Sequence, residues 1–325
     1  MPTSDPKPTL STLLRTSSPV ILDGALATYL EALGASISSA LWSASLLLDS
    51  PSLIHRTHLD YFRAGADIAI TASYQASLPG LQAHLQLSEK EAKDVVKKSV
   101  ELAQQACEEY LHSLSDPEER QRKCARLLVA GSVGPYGAYL ANGSEYRGDY
   151  VLGREEMKAF HRGRIEALVE AGCDVLACET MPSLAEVEAL IELLEKEFPS
   201  KEAWFSFTLR DERHISDGTG LETVVQVLEG CKQAIAIGVN CVAEDVALGA
   251  LKQLVNLTSL PLVVYPNSGE QWDAENRSWQ GERNQGERLA ERTLEWWKAG
   301  ARLVGGCCRT TPEDIALIEK TLRRL

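Results

Sequence analysis

Eight short apolar, β-branched runs, each followed by an amphipathic stretch, recur from one end of the chain to the other, and this alternation limits the available folds more than any other feature. The runs are Val20–Leu22, Asp67–Thr71, Leu127–Gly131, Asp174–Cys178, Ala203–Phe207, Ala234–Val239, Pro261–Tyr265 and Arg302–Gly305. Helical periodicity covers Pro51–Ala64, Ser88–Leu114, Arg154–Ala171, Ser183–Phe198, Leu221–Gly230, Glu244–Val255, Gly286–Ala299 and Pro312–Leu325. Strands that are apolar at nearly every position belong to a parallel sheet covered on both faces. Eight βα units of about 30 to 40 residues predict one α/β domain, a closed (β/α)8 TIM-type barrel, over 19–325, with 1–18 as an N-terminal extension. The punctuation agrees. Thr311-Pro312-Glu313-Asp314 supplies a cap, a first-turn proline and carboxylates at the positive end of a helix dipole, and Gly65, Gly172 and Gly300 stand where helices give way to strands.

Two connections exceed what a barrel needs: Pro135–Gly153, rich in Gly and Tyr, and Asn267–Gln285, which holds Trp272 and Trp279. Both follow strands, so both are expected on the C-terminal face, where long loops form binding walls. The charged stretch Ser115–Lys123 precedes a strand and is expected as a solvated loop on the opposite face.

Composition excludes several classes of function. The 33 Lys and Arg against 46 Asp and Glu give a formal charge of −13, which offers no cationic footprint for nucleic acid or an anionic membrane. No run reaches the roughly 18 apolar residues of a membrane span, and Met1–Ser18 has no apolar signal core. The expectation is a cytoplasmic protein, in which three N-x-S/T sequons are coincidental and eight cysteines are thiols or metal ligands rather than disulfides. There is no G-x-S-x-G elbow, Walker loop, H-E-x-x-H pair or strand-to-helix G-x-G-x-x-G. The six histidines fall in helices, at their ends or in a loop, where surface or packing roles are expected.

In a barrel, residues just past the strands share one cavity. Here they include Asp23-Gly24, Thr71 with Tyr74, Ser132, Tyr136, Glu179-Thr180, Asn240-Cys241, Tyr265 and Gly305-Gly306-Cys307-Cys308. Cys241 and the adjacent pair Cys307 and Cys308 can give three thiolates to one tetrahedral metal, with the glycines letting both neighbours face inward. Zinc suits such a set and would keep a fourth place for water or substrate. The spacing also suits ordinary buried cysteines or a redox pair. Cys178 alternates with Glu179 and is expected to point outward to the helices, Cys107, Cys173 and Cys231 are expected as small core fillers, and Cys124 is assigned no role. Asn240, beside a ligand, is expected to orient the site by hydrogen bonds.

Gly238-Val-Asn-Cys241 with Gly305-Gly-Cys-Cys308 resembles the zinc-binding pattern of the homocysteine S-methyltransferase family. The likeness extends over Leu22-Asp-Gly-Ala-Leu-Ala-Thr28, Thr71-Ala-Ser-Tyr-Gln75 and Glu179-Thr-Met-Pro182. Ser132–Ala141, Gly143-Ser-Glu-Tyr146 and Tyr265-Pro-Asn-Ser-Gly-Glu270 are similar to the branch that uses S-methylmethionine or S-adenosylmethionine. The resemblance implies Zn²⁺ on Cys241, Cys307 and Cys308, with the homocysteine thiol as fourth ligand. It implies that Glu179 meets the homocysteine ammonium and that Asp23, Gly24, Ala25 and Thr71 position the amino-acid end. The family often has a second glycine where this chain has Ala25, a departure that bears on any backbone contact there. Tyr74, Tyr136, Tyr139, Tyr265 and Trp279 are the aromatic residues available to face a sulfonium. The implied reaction is methyl transfer from a sulfonium donor to homocysteine, forming methionine. A non-catalytic homocysteine or zinc sensor, and an unrelated barrel lyase with incidental cysteines, are the competing readings.

Overall fold

The computed structural model describes residues 8–16, 18–36, 44–273 and 278–325, with only the backbone described over 271–273 and 278–279. All eight expected strands form: β1 (Val20–Ile21), β2 (Ile68–Ile70), β3 (Leu128–Val133), β4 (Val175–Met181), β5 (Ala203–Phe207), β6 (Ala234–Asn240), β7 (Leu262–Tyr265) and β8 (Ala301–Val304). Each pairs in parallel with its neighbour in the sequence, and β1 pairs with β8. A single parallel bridge between Leu22 and Ile68 brings β1 against β2 and closes the ring. The architecture is the expected (β/α)8 barrel.

Alternation of side chains across the strands divides the interior into two apolar layers. Val20, Ile68, Leu128, Val175, Trp204 and Val263 fill the inside of the ring, while Ile21, Leu176, Phe205, Ile237 and Val264 face the surrounding helices. Gly238 shows how tightly the inner layer is built: a Cβ there would lie 1.7 Å from the Val263 carbonyl oxygen. A short helix, Leu10–Leu14, sends Leu10 and Leu13 into the inner layer, and the Ser11 amide donates to Glu202, just before β5, at 3.1 Å. This helix therefore plugs the floor, at the end opposite the strand tips.

The eight expected helices appear with ends within a few residues of the periodicity. One expectation is corrected. The charged segment after Ser115 is not a loop but a helix, Pro117–Cys124, capped by the Asp116 side chain, which accepts from the Glu118 amide at 3.0 Å. None of its residues is buried, so the solvated surface stands while the loop does not. Cap, proline and acidic first turn were all readable; the missing apolar stripe hid them. His58 and His161 are fully buried within helices, in the packing role expected of them. Among the described residues, no helix is long and apolar enough to cross a membrane.

Candidate active site at the strand tips

The strand ends bring together three sulfurs that lie far apart in the chain. Cys241 Sγ is 3.0 Å from Cys307 Sγ and 3.6 Å from Cys308 Sγ, and all three atoms lie within 4.8 Å of one another. These separations exceed the roughly 2.05 Å of a disulfide. They approach the ~3.8 Å between sulfurs held tetrahedrally at about 2.3 Å from one zinc ion. The donor set therefore fits a soft divalent metal, and the cluster can hold one. Hydrogen bonds from the Cys241 and Cys307 thiols pull the Cys308 thiol down, while the bonds with its neighbours and burial push the Cys307 thiol up, and Cys241 is raised as well.

Local backbone explains how these residues face one cavity. Cys241 follows inward-facing Asn240 and would alternate outward, but its φ of +55° ends the strand pattern and turns it toward the mouth. Its amide donates to the Tyr265 carbonyl at 3.2 Å. Gly305 and Gly306 do not adopt positive φ; they are needed for space. A Cβ on Gly305 would lie 2.6 Å from Leu22 Cβ, and one on Gly306 would lie 2.4 Å from Thr310 Oγ1. The cysteine loop is pinned by Cys307 N–H to the Pro266 carbonyl at 2.7 Å and by Gly306 N–H to the Asp23 carbonyl at 3.1 Å.

Beside the sulfurs stand two buried acids. Glu179 accepts a short hydrogen bond from the Ser132 hydroxyl. Burial pushes its carboxyl up to about 7 against that bond and one from Tyr265. Burial likewise pushes the Asp23 carboxyl up, although it accepts from the Ile70 amide at 2.8 Å. Thr71 Oγ1 accepts from the Ser132 amide at 3.0 Å and shares a hydrogen bond with Ser73 at 2.7 Å, so the ends of β2, β3 and β4 are tied together. Asn240 holds Thr180 twice at 2.8 Å, accepting from its amide and donating to its hydroxyl. Sulfurs and carboxylates together make a mouth that favours cationic groups.

Gly24 cannot carry a side chain, since a Cβ would lie 2.8 Å from Thr310 Oγ1 and from the Tyr61 ring. Ala25, by contrast, has φ −60°, which any residue adopts, and its amide already donates to Thr310 Oγ1 at 3.1 Å. The replacement of the family's frequent glycine therefore imposes no strain here.

The aromatic residues divide. Tyr74 is half-buried near Cys241 and hydrogen-bonds Thr180. Tyr265 is buried inside the ring, where its hydroxyl accepts from Trp204 Nε1 at 3.1 Å and shares a bond with Ser206 at 2.5 Å; it supports the floor of the site. Tyr136 and Tyr139 cluster with Phe160, centroids 5.1 and 5.6 Å away, rather than beside the sulfurs. Trp279 sits in a hairpin opposite Trp272, and its side chain lies outside the described residues. Cys178 faces the outer layer as expected, and Cys173 and Cys231 are buried.

Sequence reasoning assigned no role to Tyr146, whose hydroxyl lies 3.7 Å from Cys241 Sγ, nor to Arg309, whose guanidinium pairs with Glu270. Tyr146 sits in the Gly- and Tyr-rich connection already expected as a binding wall. That wall is fastened from behind by the buried Glu186 carboxylate, which accepts from the Tyr136 amide at 2.6 Å and from the Tyr150 hydroxyl and stands 2.7 Å from His161 Nε2.

A (β/α)8 barrel with three converging thiols and two buried carboxylates at its strand tips defines a metal-competent enzyme of the thiol-ligand type. Comparison with known proteins narrows this. The family model described as Homocysteine S-methyltransferase matches residues 20–322. The homocysteine S-methyltransferase of Escherichia coli is 53% identical over 310 residues, covering 95% of this chain and 97% of that protein. Its Bacillus subtilis counterpart YbgG is 46% identical over 96% of this chain and 97% of its own length. The crystal structure of the E. coli homocysteine methyltransferase MmuM in its metallated form superposes with a TM-score of 0.85 at 51% identity, covering 96% of this chain and 99% of that one. The chain belongs to the homocysteine S-methyltransferase family and is a methyltransferase.

Proposed function

We propose that the protein transfers a methyl group from a sulfonium donor, S-methylmethionine or S-adenosylmethionine, to the thiolate of homocysteine, forming methionine, with Zn²⁺ held by Cys241, Cys307 and Cys308. The observation that carries this reading is the meeting of three cysteine sulfurs at the strand tips that also carry the buried carboxyls of Asp23 and Glu179. Zn²⁺, when bound, supplies the charge that keeps an incoming thiol deprotonated near neutral pH, where a free thiol with pKa of about 8.5 is mostly protonated. Glu179 receives the homocysteine ammonium, its rotamer fixed by Ser132. Asp23 and Thr71 border the same end of the substrate. Gly24 lets the turn lie close against Thr310 and Tyr61, while Ala25 acts through its place in that turn, its amide being taken by Thr310. Asn240 keeps Thr180, and with it the neighbouring Glu179, in register.

The acidic mouth also suits the donor. A sulfonium brings its own positive charge and leaves as a neutral thioether, so no protein acid is needed, and Tyr74 offers an aromatic face near Cys241. On this reading the partners are small molecules, the chain works in the cytoplasm, and 19–325 acts as one barrel with the helix Leu10–Leu14 at its floor. The test is to purify the protein, quantify bound metal, and assay methionine from homocysteine with each donor supplied separately. Equimolar zinc and methionine from at least one donor are expected, and both are lost in Cys307→Ala. Homocysteine binding without product from either donor would favour a sensor, and full activity in a metal-free protein would refute the zinc assignment.

A further inference from the structure

Arg309, immediately after the paired cysteines, is held at both ends. Its backbone has φ +68°, a left-handed conformation that is costly for a residue with a side chain, and its amide donates to Thr28 Oγ1 at 2.9 Å. Its guanidinium donates from Nε to Glu270 Oε2 at 3.1 Å and from Nη2 to Oε1 at 3.4 Å. Glu270 is in turn fixed by the Ser268 hydroxyl at 3.0 Å, and the Ser268 amide donates to the Cys308 carbonyl at 3.1 Å. A surface arginine is normally mobile; this one is built in.

Yet the Arg309 side chain is 42% exposed, and its Nη1 meets no acceptor among the described residues. Exposure falls from Arg309 at the rim, through half-buried Cys307 and Cys308, to buried Asp23 and Glu179. A fixed cation at the rim of an acidic mouth works against a bare sulfonium. It becomes useful when the ligand also carries a carboxylate away from its cationic centre. In-line transfer places acceptor and leaving sulfur on opposite sides of the methyl group, so with homocysteine at the buried acids the donor's amino-acid end lies toward the rim.

Resting on the methyl transfer proposed above, we propose that Arg309 binds the α-carboxylate of the sulfonium donor through the free edge of its guanidinium, with Glu270 as the positioning residue that holds that edge outward. A planar guanidinium can keep one carboxylate on its Nε side and take a second on its outer edge, which a lysine cannot do.

The experiment measures KM for the donor and for homocysteine, with metal content, in the zinc-loaded wild type, Arg309→Gln, Arg309→Lys and Glu270→Gln. It uses both the intact donor and S-methylmethionine's decarboxylated analogue, an aminopropyl dimethylsulfonium. In Arg309→Gln the donor KM rises ~10- to 100-fold while homocysteine KM and metal content stay within about twofold. Arg309→Lys is intermediate, and Glu270→Gln raises donor KM less than Arg309→Gln. The wild type prefers the intact donor over the analogue, and Arg309→Gln loses most of that preference. The proposal is overturned if Arg309→Gln makes methionine with unchanged donor KM, if homocysteine KM rises instead, if metal is lost, or if both donors suffer equally. A wild type that makes methionine from no sulfonium would bring down the underlying reaction as well, which separates that failure from the others.

Discussion

Replacing Glu179 by glutamine separates what this carboxylate costs the fold from what it gives the substrate. Burial raises its pKa from an ordinary 4.5 to about 7. Between those values the folded chain holds a proton that the unfolded chain has released, so stability falls as pH rises through this window and levels off above 7. The displacement corresponds to about 3 kcal/mol at pH 8 and under 1 kcal/mol at pH 5. Glutamine never ionises, although it perturbs the hydrogen bond with Ser132, worth about 1 kcal/mol. Glu179→Gln should therefore stabilise the substrate-free protein relative to wild type by roughly 2 kcal/mol more at pH 8 than at pH 5, read from urea midpoints at the two pH values. Homocysteine binding moves the other way. Losing a charge-assisted contact to the ammonium weakens it ~10- to 100-fold. The wild type should also gain up to about tenfold in affinity between pH 6 and pH 8 beyond any rise that persists in the variant, as Glu179 ionises. If Glu179→Gln shows no pH-dependent stability gain, the buried-carboxylate reasoning fails. If it gains stability but binds homocysteine as wild type does, Glu179 is not the ammonium partner.

His58 is fully buried with neither ring nitrogen hydrogen-bonded among the described residues, and burial pushes its pKa down to about 3. The unfolded chain protonates first, so stability is lost as pH falls below about 6.5. His58→Leu should recover about 2 kcal/mol at pH 5 relative to its effect at pH 7.5, and parallel urea midpoints for the two proteins would contradict this. Gly238→Ala drives a methyl carbon to 1.7 Å from the Val263 carbonyl oxygen, a backbone clash that no side-chain rotation relieves. It should yield insoluble protein or lower Tm by well over 5 °C, whereas Gly220→Ala, with nothing within 4 Å, should leave Tm within a few degrees; equal behaviour would disprove the close-approach argument.

The barrel was legible because parallel strands covered on both faces read as uninterrupted apolar runs, and because each is followed by a helix of period 3.6. Parity even identified faces: Cys178 outward and Glu179 inward follow from Val175 and Ala177 inside the ring. The same parity, continued two residues from Val263, places Tyr265 inside the barrel, where it is buried. What could not be read was long-range pairing between side chains. Arg309 meets Glu270 across 39 residues and Tyr146 meets Cys241 across 95. Neither partner stands in a periodic element that would announce its direction.

Parity also fails at specific points, and those points are the site. Only five non-glycine residues with positive φ occur among the described residues, and three of them, Thr180, Cys241 and Arg309, follow directly on Glu179, Asn240 and Cys308. Each such conformation costs on the order of 1 kcal/mol and persists only where surrounding contacts fix it. Asn240 fixes Thr180 with two hydrogen bonds, the Tyr265 carbonyl fixes Cys241, and Thr28 fixes Arg309. A regular strand can present only every second residue to the cavity. By breaking alternation at its tips, the chain turns consecutive residues, Asn240 with Cys241 and Cys307 with Cys308, toward one point, which is what allows two loops to deliver three sulfurs. The strain is therefore part of how the cluster is assembled. The glycines before the cysteine pair contribute by letting that loop lie against Leu22 and Asp23, close enough for its sulfurs to reach Cys241.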